Sequence, residues 1–345
     1  MVESLSERSE NILHAVISEY IFTGEAVGSR TISKKYSIDL SPASIRNVMA
    51  DLEELGLLNQ PHTSAGRIPT DDGLRYYVDR ILQTRKLTKE EKETIKSRYK
   101  PSNFEIIDIM EETSRLLSMF SRYAGVILAP KFENMIFERI ELVKLRENQI
   151  LAVFVSKTGM IQNRIIITEE DLSQDDLYQF SRYLNEILGN LTLEEAKKKI
   201  IDEMNKEKNM YDWLLSRALM LSQKAFNTDI EDGLFVDGKY NILECREFCD
   251  VEKMKSIFRA FEEKGILVRL LDQAMESDGI QIFIGTENEF QEMHDCSVVA
   301  SPYTWRDSTI GTLGVIGPIR MNYCDIVPIV DYTAKTVSRI MDARY

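Results

Sequence analysis

Apolar residues recur with helical spacing four times in the first 85 positions. Ile12, Leu13, Val16, Ile17, Tyr20 and Ile21 share one face of a segment running from Ser6 to Phe22, and Gly24 ends it. A shorter segment, Ser29 to Tyr36, turns Ile32 inward and leaves Arg30, Lys34 and Lys35 on its open side. The third has the sharpest start. Ser41 is a good N-cap, and Pro42 fits the first helical position, where its missing N–H costs nothing. Ile45, Val48, Leu52 and Leu55 then form a stripe that Gly56 terminates. The run "LLNQPHTSAGRIPT" predicts two short strands and a loop punctuated by Pro61, Gly66 and Pro69. Thr70 caps a fourth helix through "DDGLRYYVDRILQ", whose Asp71 and Asp72 face the positive helix terminus. Three helices, a two-strand loop and a closing helix predict a winged helix-turn-helix over residues 1–85.

Beyond it, "KLTKEEKETIKSRYK" is polar enough for a linker or an exposed helix, placed at 86–102. A helix from Asn103 to Tyr123 carries Ile106, Ile109, Met110, Thr113, Leu116, Leu117 and Phe120 on one side. The strands "AGVILAP", "FERIELVKL", "ILAVFVS" and "MIQNRIIIT" read as part of one antiparallel sheet. Further strands, "GIQIFIG", "CSVVASP" and "STIGTLGVIGP", come a hundred residues later, before a final helix bearing Ile326, Ile329, Val330, Thr333, Val337, Ile340 and Met341. The stretch between is mostly helical: Ser173 caps a helix to Leu188, and Thr192 with Glu195 forms a capping box. "YDWLLSRALMLSQKAF" is apolar around much of its circumference, and "LFVDGKYNIL" reads as a hairpin turning at Asp237 and Gly238. Asp250 to Lys264 is a further helix. The fold class is therefore α+β: a sheet domain at 103–170 and 246–345, interrupted by an insert at 171–245.

Composition narrows the functional classes. At 345 residues the chain suits two or three domains, and 43% hydrophobic with 29% charged residues is ordinary for a globular protein. No apolar run approaches a membrane span, and "MVESLSERSENILHAV" lacks a basic start and an apolar signal core, so the expectation is a cytoplasmic protein without membrane partners. Four irregularly spaced cysteines and three histidines, His14, His62 and His294, form neither a disulfide framework nor a metal or catalytic pattern. Gly311, Gly314 and Gly317 mark close strand packing rather than a phosphate cradle. The expectation is no enzyme, no cofactor and no metal.

A net charge of -13 argues against a nucleic-acid-binding surface spread over the whole chain. The charge is uneven, however: from Gly28 to Asn47, Arg30, Lys34, Lys35 and Arg46 stand against Asp39 alone. The outward face of the third helix carries Ala43, Arg46, Asn47 and Ala50, flanked by Ser44. Small residues allow close approach to a partner, and Arg and Asn offer forked donors that fit guanine and adenine edges. The candidate DNA-binding residues are Arg30, Lys34, Lys35, Ser41, Ala43, Ser44, Arg46 and Asn47, with His62, Thr63, Ser64 and Arg67 of the following loop gripping the neighbouring backbone. A small helical domain used for protein contacts is the competing interpretation of the same pattern.

"SPASIRNVMADLEELGLL" joined to "HTSAGRIPTDDGLRYYVD" resembles the signature of the heat-inducible transcription repressor HrcA family, and the likeness continues through "DGIQIFIGTEN", "SVVASPY" and "GTLGVIGPIRMNY". Asp72 departs from that pattern, in which a basic residue is common. The resemblance implies a GAF-like sheet domain split by an inserted dimerisation domain. It also implies a homodimer on double-stranded DNA at the CIRCE inverted repeat upstream of chaperone genes, release by heat, and the GroE chaperonin as a modulating partner. A metabolite-sensing winged-helix regulator, with its effector in the sheet domain, is the alternative.

Overall fold

Hydroxyl caps open three of the four N-terminal helices in the computed structural model, which describes residues 5–36, 38–62, 65–99, 106–130, 137–157, 161–168, 171–192, 195–196, 198–199, 202, 233–277, 279–306 and 308–344. Ser6 accepts the Ser9 N–H at the start of α1 (Glu7–Thr23), which Gly24 closes with a φ of 70°. Helix α2 (Ser29–Lys35) is brief, and α3 (Pro42–Glu54) begins where Ser41 accepts the Ser44 N–H at 3.1 Å. The strands β1 (Leu58–Asn59) and β2 (Ile68–Pro69) pair antiparallel, and Val27 bridges to Arg67 beside them. Thr70 caps α4 (Asp71–Tyr76), which runs on as a wider turn through Ile81. Ile12, Leu13, Val16, Ile17, Ile32, Ile45, Leu52, Leu57 and Leu74 are buried in this segment. The apolar stripes of the sequence thus point inward.

The chain divides into two compact units. The first comprises Met1–Ala129, Leu234–Tyr303 and Gly311–Ser338; the second comprises Pro130–Gly233, Thr304–Ile310 and Arg339–Tyr345. In the first unit, α5 (Lys89–Arg98) and α6 (Ile106–Ser121) lead to a five-stranded sheet in the order β7-β3-β10-β9-β8: β3 (Ala124–Leu128), β7 (Leu234–Asp237), β8 (Gln281–Ile284), β9 (Cys296–Trp305) and β10 (Ser308–Pro318). Between β7 and β8 lie α8 (Val251–Glu262) and α9 (Lys264–Met275), and α10 (Tyr323–Arg344) closes the chain. One core cluster joins Val126, Leu128, Val298, Ala300 and Ile316 of the strands to Ile257, Phe261, Leu267, Leu270 and Leu271 of α8 and α9. Every residue of β3 is buried, as suits a strand interior to the sheet.

Three expectations are corrected here. Of the linker or exposed helix expected after Lys86, the helix is present as α5, but it is not simply exposed: Leu87, Ile95 and Tyr99 are buried, and the Tyr99 hydroxyl meets the Thr113 hydroxyl at 2.9 Å. "LFVDGKYNIL" is not a hairpin: β7 pairs with β3, and Gly238 leads at φ 72° into a helical turn, Lys239–Glu244. Lys264–Met275 is a second helix where one helix, ending at Lys264, is expected.

The second unit has its own sheet, β4-β5-β6 (Phe137–Arg146, Gln149–Ser156, Ile161–Ile167), packed against α7 (Gln174–Leu188). Ile140, Leu142, Ile150, Ala152, Phe154 and Ile166 meet Leu177, Phe180, Leu184 and Leu188 in one cluster. These strands are therefore not part of the sheet at 103–170, and the chain divides after Ala129 rather than at residue 171. The cause is pairing: β4, β5 and β6 satisfy one another as a meander and leave no hydrogen-bonding edge in common with β3. The apolar segment "YDWLLSRALMLSQKAF" lies outside the described residues.

Candidate nucleic-acid interface

Helix α3 positions the candidate residues because its own packing leaves them outward. Ile45, Val48, Met49 and Leu52 are buried on one side, so Ala43, Arg46 and Asn47 emerge exposed on the other, with Ser44 half-buried. Ser41 holds the helix start, its hydroxyl 3.0 Å from that of Ser44. That hydroxyl is committed to capping, which reduces its freedom to act as a ligand. Arg30 and Lys34 are exposed on α2.

Gly28, Arg30, Ala43, Arg46, Asn47 and Arg67 line a groove of about 490 Å³ that also touches Ser29 and Ala65. The structure thus brings the outward face of α3, the start of α2 and the loop before β2 to one concave surface. Between β1 and β2, the Ala65 N–H donates to the His62 carbonyl at 2.8 Å, and the Gln60 side-chain amide donates to the Ala65 carbonyl at 3.0 Å. His62 is exposed, while Thr63 and Ser64 lie outside the described residues.

Two predicted cations are engaged elsewhere. The Arg67 guanidinium pairs with Glu53 at 2.7 Å and is only 17% exposed, and the Arg67 backbone exchanges both hydrogen bonds with Val27. Lys35 pairs with the nearly buried Glu19 at 2.5 Å. A carboxylate already neutralises each charge, so both residues act first as internal ties of the helical unit. Among the described residues, the basic character of this surface not taken up by an ion pair rests on Arg30, Lys34 and Arg46. Gly28, Ser29 and Ala65 were not among the expected residues; only the capping position of Gly28 ahead of α2 hinted at them.

Among the described residues there is no cluster of three or more His, Cys, Asp or Glu able to hold a metal, and no helix long and apolar enough to cross a membrane. The buried cysteine, Cys296, has its thiol pushed well above the usual range by desolvation, which makes it a poor nucleophile.

Comparison with known proteins places these features in a family context. The family described as "HrcA protein C terminal domain" matches residues 107–327. The chain is 45% identical to the heat-inducible transcription repressor HrcA of Syntrophobacter fumaroxidans over 99% of both chains. It is 48% identical to that of Geobacter sulfurreducens over 98% of both. A crystal structure of a hypothetical protein shares the fold at a TM-score of 0.60, with 22% identity and 99% of each chain covered.

Proposed function

The chain belongs to the HrcA family of heat-inducible transcription repressors, and from that premise we propose that residues 1–85 act as a winged helix-turn-helix whose α3 enters the major groove of an inverted-repeat CIRCE operator. The protein is a transcriptional repressor and not an enzyme. The observation that carries the operator reading is the exposed Arg46–Asn47 pair on a helix with small neighbours, set beside a groove edged by Arg30. The segment between β1 and β2 acts as the wing, with His62 toward the DNA backbone. Arg67 reaches a phosphate only by leaving Glu53.

A homodimer completes the reading. One recognition helix touches too few base pairs for useful specificity in a genome, whereas a two-fold pair doubles the contacts and fixes half-site spacing. In support, the second unit shows an apolar sheet surface: Ile161, Ile165 and Ile167 of β6 are 57–71% exposed, and Val143 of β4 lies open too. We assign this unit to dimerisation and the five-stranded unit to a GAF-like support, in a cytoplasmic protein. Heating loosens the dimer, exposes further apolar surface and engages GroE, which returns the repressor to its binding-competent state.

The test is a mobility shift of the full chain on an inverted repeat, a single half-site and a scrambled duplex. Binding as two subunits, favouring the inverted repeat by about a thousandfold over the scrambled duplex, is expected. Equal binding to all three contradicts the reading.

A further inference from the structure

The residues carrying the family likeness in "TDDGLRYYVD" and in "DGIQIFIGTEN" meet each other in space, and none of them faces the groove. Asp71, in the first turn of α4, accepts hydrogen bonds from the Thr286 backbone N–H at 2.9 Å and from the Thr286 hydroxyl at 2.8 Å. One turn on, the Arg75 guanidinium forks onto Glu287, with Nε to Oε1 at 2.7 Å and Nη2 to Oε2 at 2.5 Å, and also donates to the Ile282 carbonyl. Glu287 is itself held by the Ile284 N–H at 2.8 Å. Gly285 makes the approach possible. Its φ is 52°, and a Cβ there would lie 2.3 Å from the Asp71 carboxylate.

Two other points tie the same helical unit to the sheet. Arg320, just beyond β10, donates to the Ile21 carbonyl at the end of α1 at 3.0 Å while pairing with Glu247. Arg85 joins Glu91 to Asp325, at 2.6 and 2.5 Å. A single flexible ion pair permits pivoting, whereas a two-point fork on one helix face plus separate ties from α1 and from the segment after α4 removes it.

We propose that Asp71 and Arg75 of α4, with Thr286 and Glu287, form a latch that orients the DNA-binding helices on the sheet domain and thereby sets the half-site spacing the repressor accepts. The inference rests on the dimeric operator reading above. In a dimer, the distance between recognition helices is well defined only if each helix is held in one orientation within its own subunit, and a helical unit free to pivot on its sheet cannot be. The latch residues act through that orientation and touch no base. They are positioning residues.

The experiment compares wild type, Arg75→Ala, Glu287→Gln and Arg75→Lys, each as the full chain, on a single half-site and on inverted repeats whose spacing is altered by five base pairs. Glu287→Gln keeps the shape of the acceptor and lies outside the DNA-binding helices, so it serves if Arg75→Ala folds poorly. Half-site affinity within about twofold of wild type is expected, together with a fall of about tenfold in preference for the natural spacing, partly recovered in Arg75→Lys. Spacing preference at the wild-type level in both Arg75→Ala and Glu287→Gln overturns the latch, as does a loss that falls equally on the half-site. Absence of any spacing preference in the wild type contradicts the operator reading itself, and the latch with it.

Discussion

Arg46 and Lys34 are both exposed cations, yet their positions give them different work. Arg46 lies on α3 beside Asn47 and lines the groove, whereas Lys34 sits on α2 away from it. Replacing Arg46 with Ala should cost about 1–3 kcal/mol of operator affinity and relax preference at one base position. Replacing Lys34 with Ala should weaken all duplexes alike and reduce the salt slope by about one. Both positions were legible from the sequence, because helical periodicity fixes which residues face out. Periodicity did not reveal that Arg67 and Lys35 are tied to Glu53 and Glu19, since those carboxylates lie 14 and 16 positions away on other helices. The role of Asp71 was half visible: it reads as a helix-dipole partner, and only the fold brings Thr286 to it.

Glu91 offers a titration test at this scale. Two hydrogen bonds from Arg85 hold its carboxyl down, at about 2 against an ordinary 4.5. A folded-state value below the unfolded one means that the stabilisation is fully present above 4.5 and is lost as pH falls toward 2. Urea midpoints of wild type and Glu91→Gln should therefore differ at neutral pH, draw together below pH 4.5 and converge only as pH falls to about 2. A gap that is unchanged in acid would contradict the assignment.

Among the elements, those with local signals were readable. Helices α1, α3, α4 and α7 start at hydroxyl caps visible in the sequence, and each cap bond is present. Strand partnership was not readable, because it is settled by hydrogen bonds between distant segments: β3 finds β10 and β7, while β4–β6 close on themselves. The α7 sequence contains one further clue. Gln174, Ser181 and Asn185 share a helix face and satisfy the free edge of β4, with Asn185 bonding both the N–H and the C=O of Ile140 at 2.6 and 3.0 Å. Side chains here replace a missing neighbour strand and blunt the edge. Asn185→Ala should destabilise this unit by about 1–3 kcal/mol, read as a lower midpoint in urea, because two backbone groups lose their partner. An unchanged midpoint would show that water serves the edge equally well.

For the whole molecule, exposed positive charge is local in an acidic chain: Arg30, Lys34 and Arg46 stand open on two adjacent helices, and the proposed operator contact rests on them. The family was legible from the motifs at both ends of the first unit, and two of them, around Asp71 and around Thr286, meet where α4 packs on the loop after β8. The insert's extent was not, since its first half consists of strands that look like any other sheet strands. The central claim is that the outward face of α3 reads base identity. It is tested most directly by measuring the affinity of the full-length Arg46→Ala variant across operators substituted one base pair at a time. The account predicts that wild type discriminates at every half-site position while the variant loses discrimination at one position, with affinity for the intact operator lower by about tenfold or more. A variant that matches wild type on every duplex would contradict it.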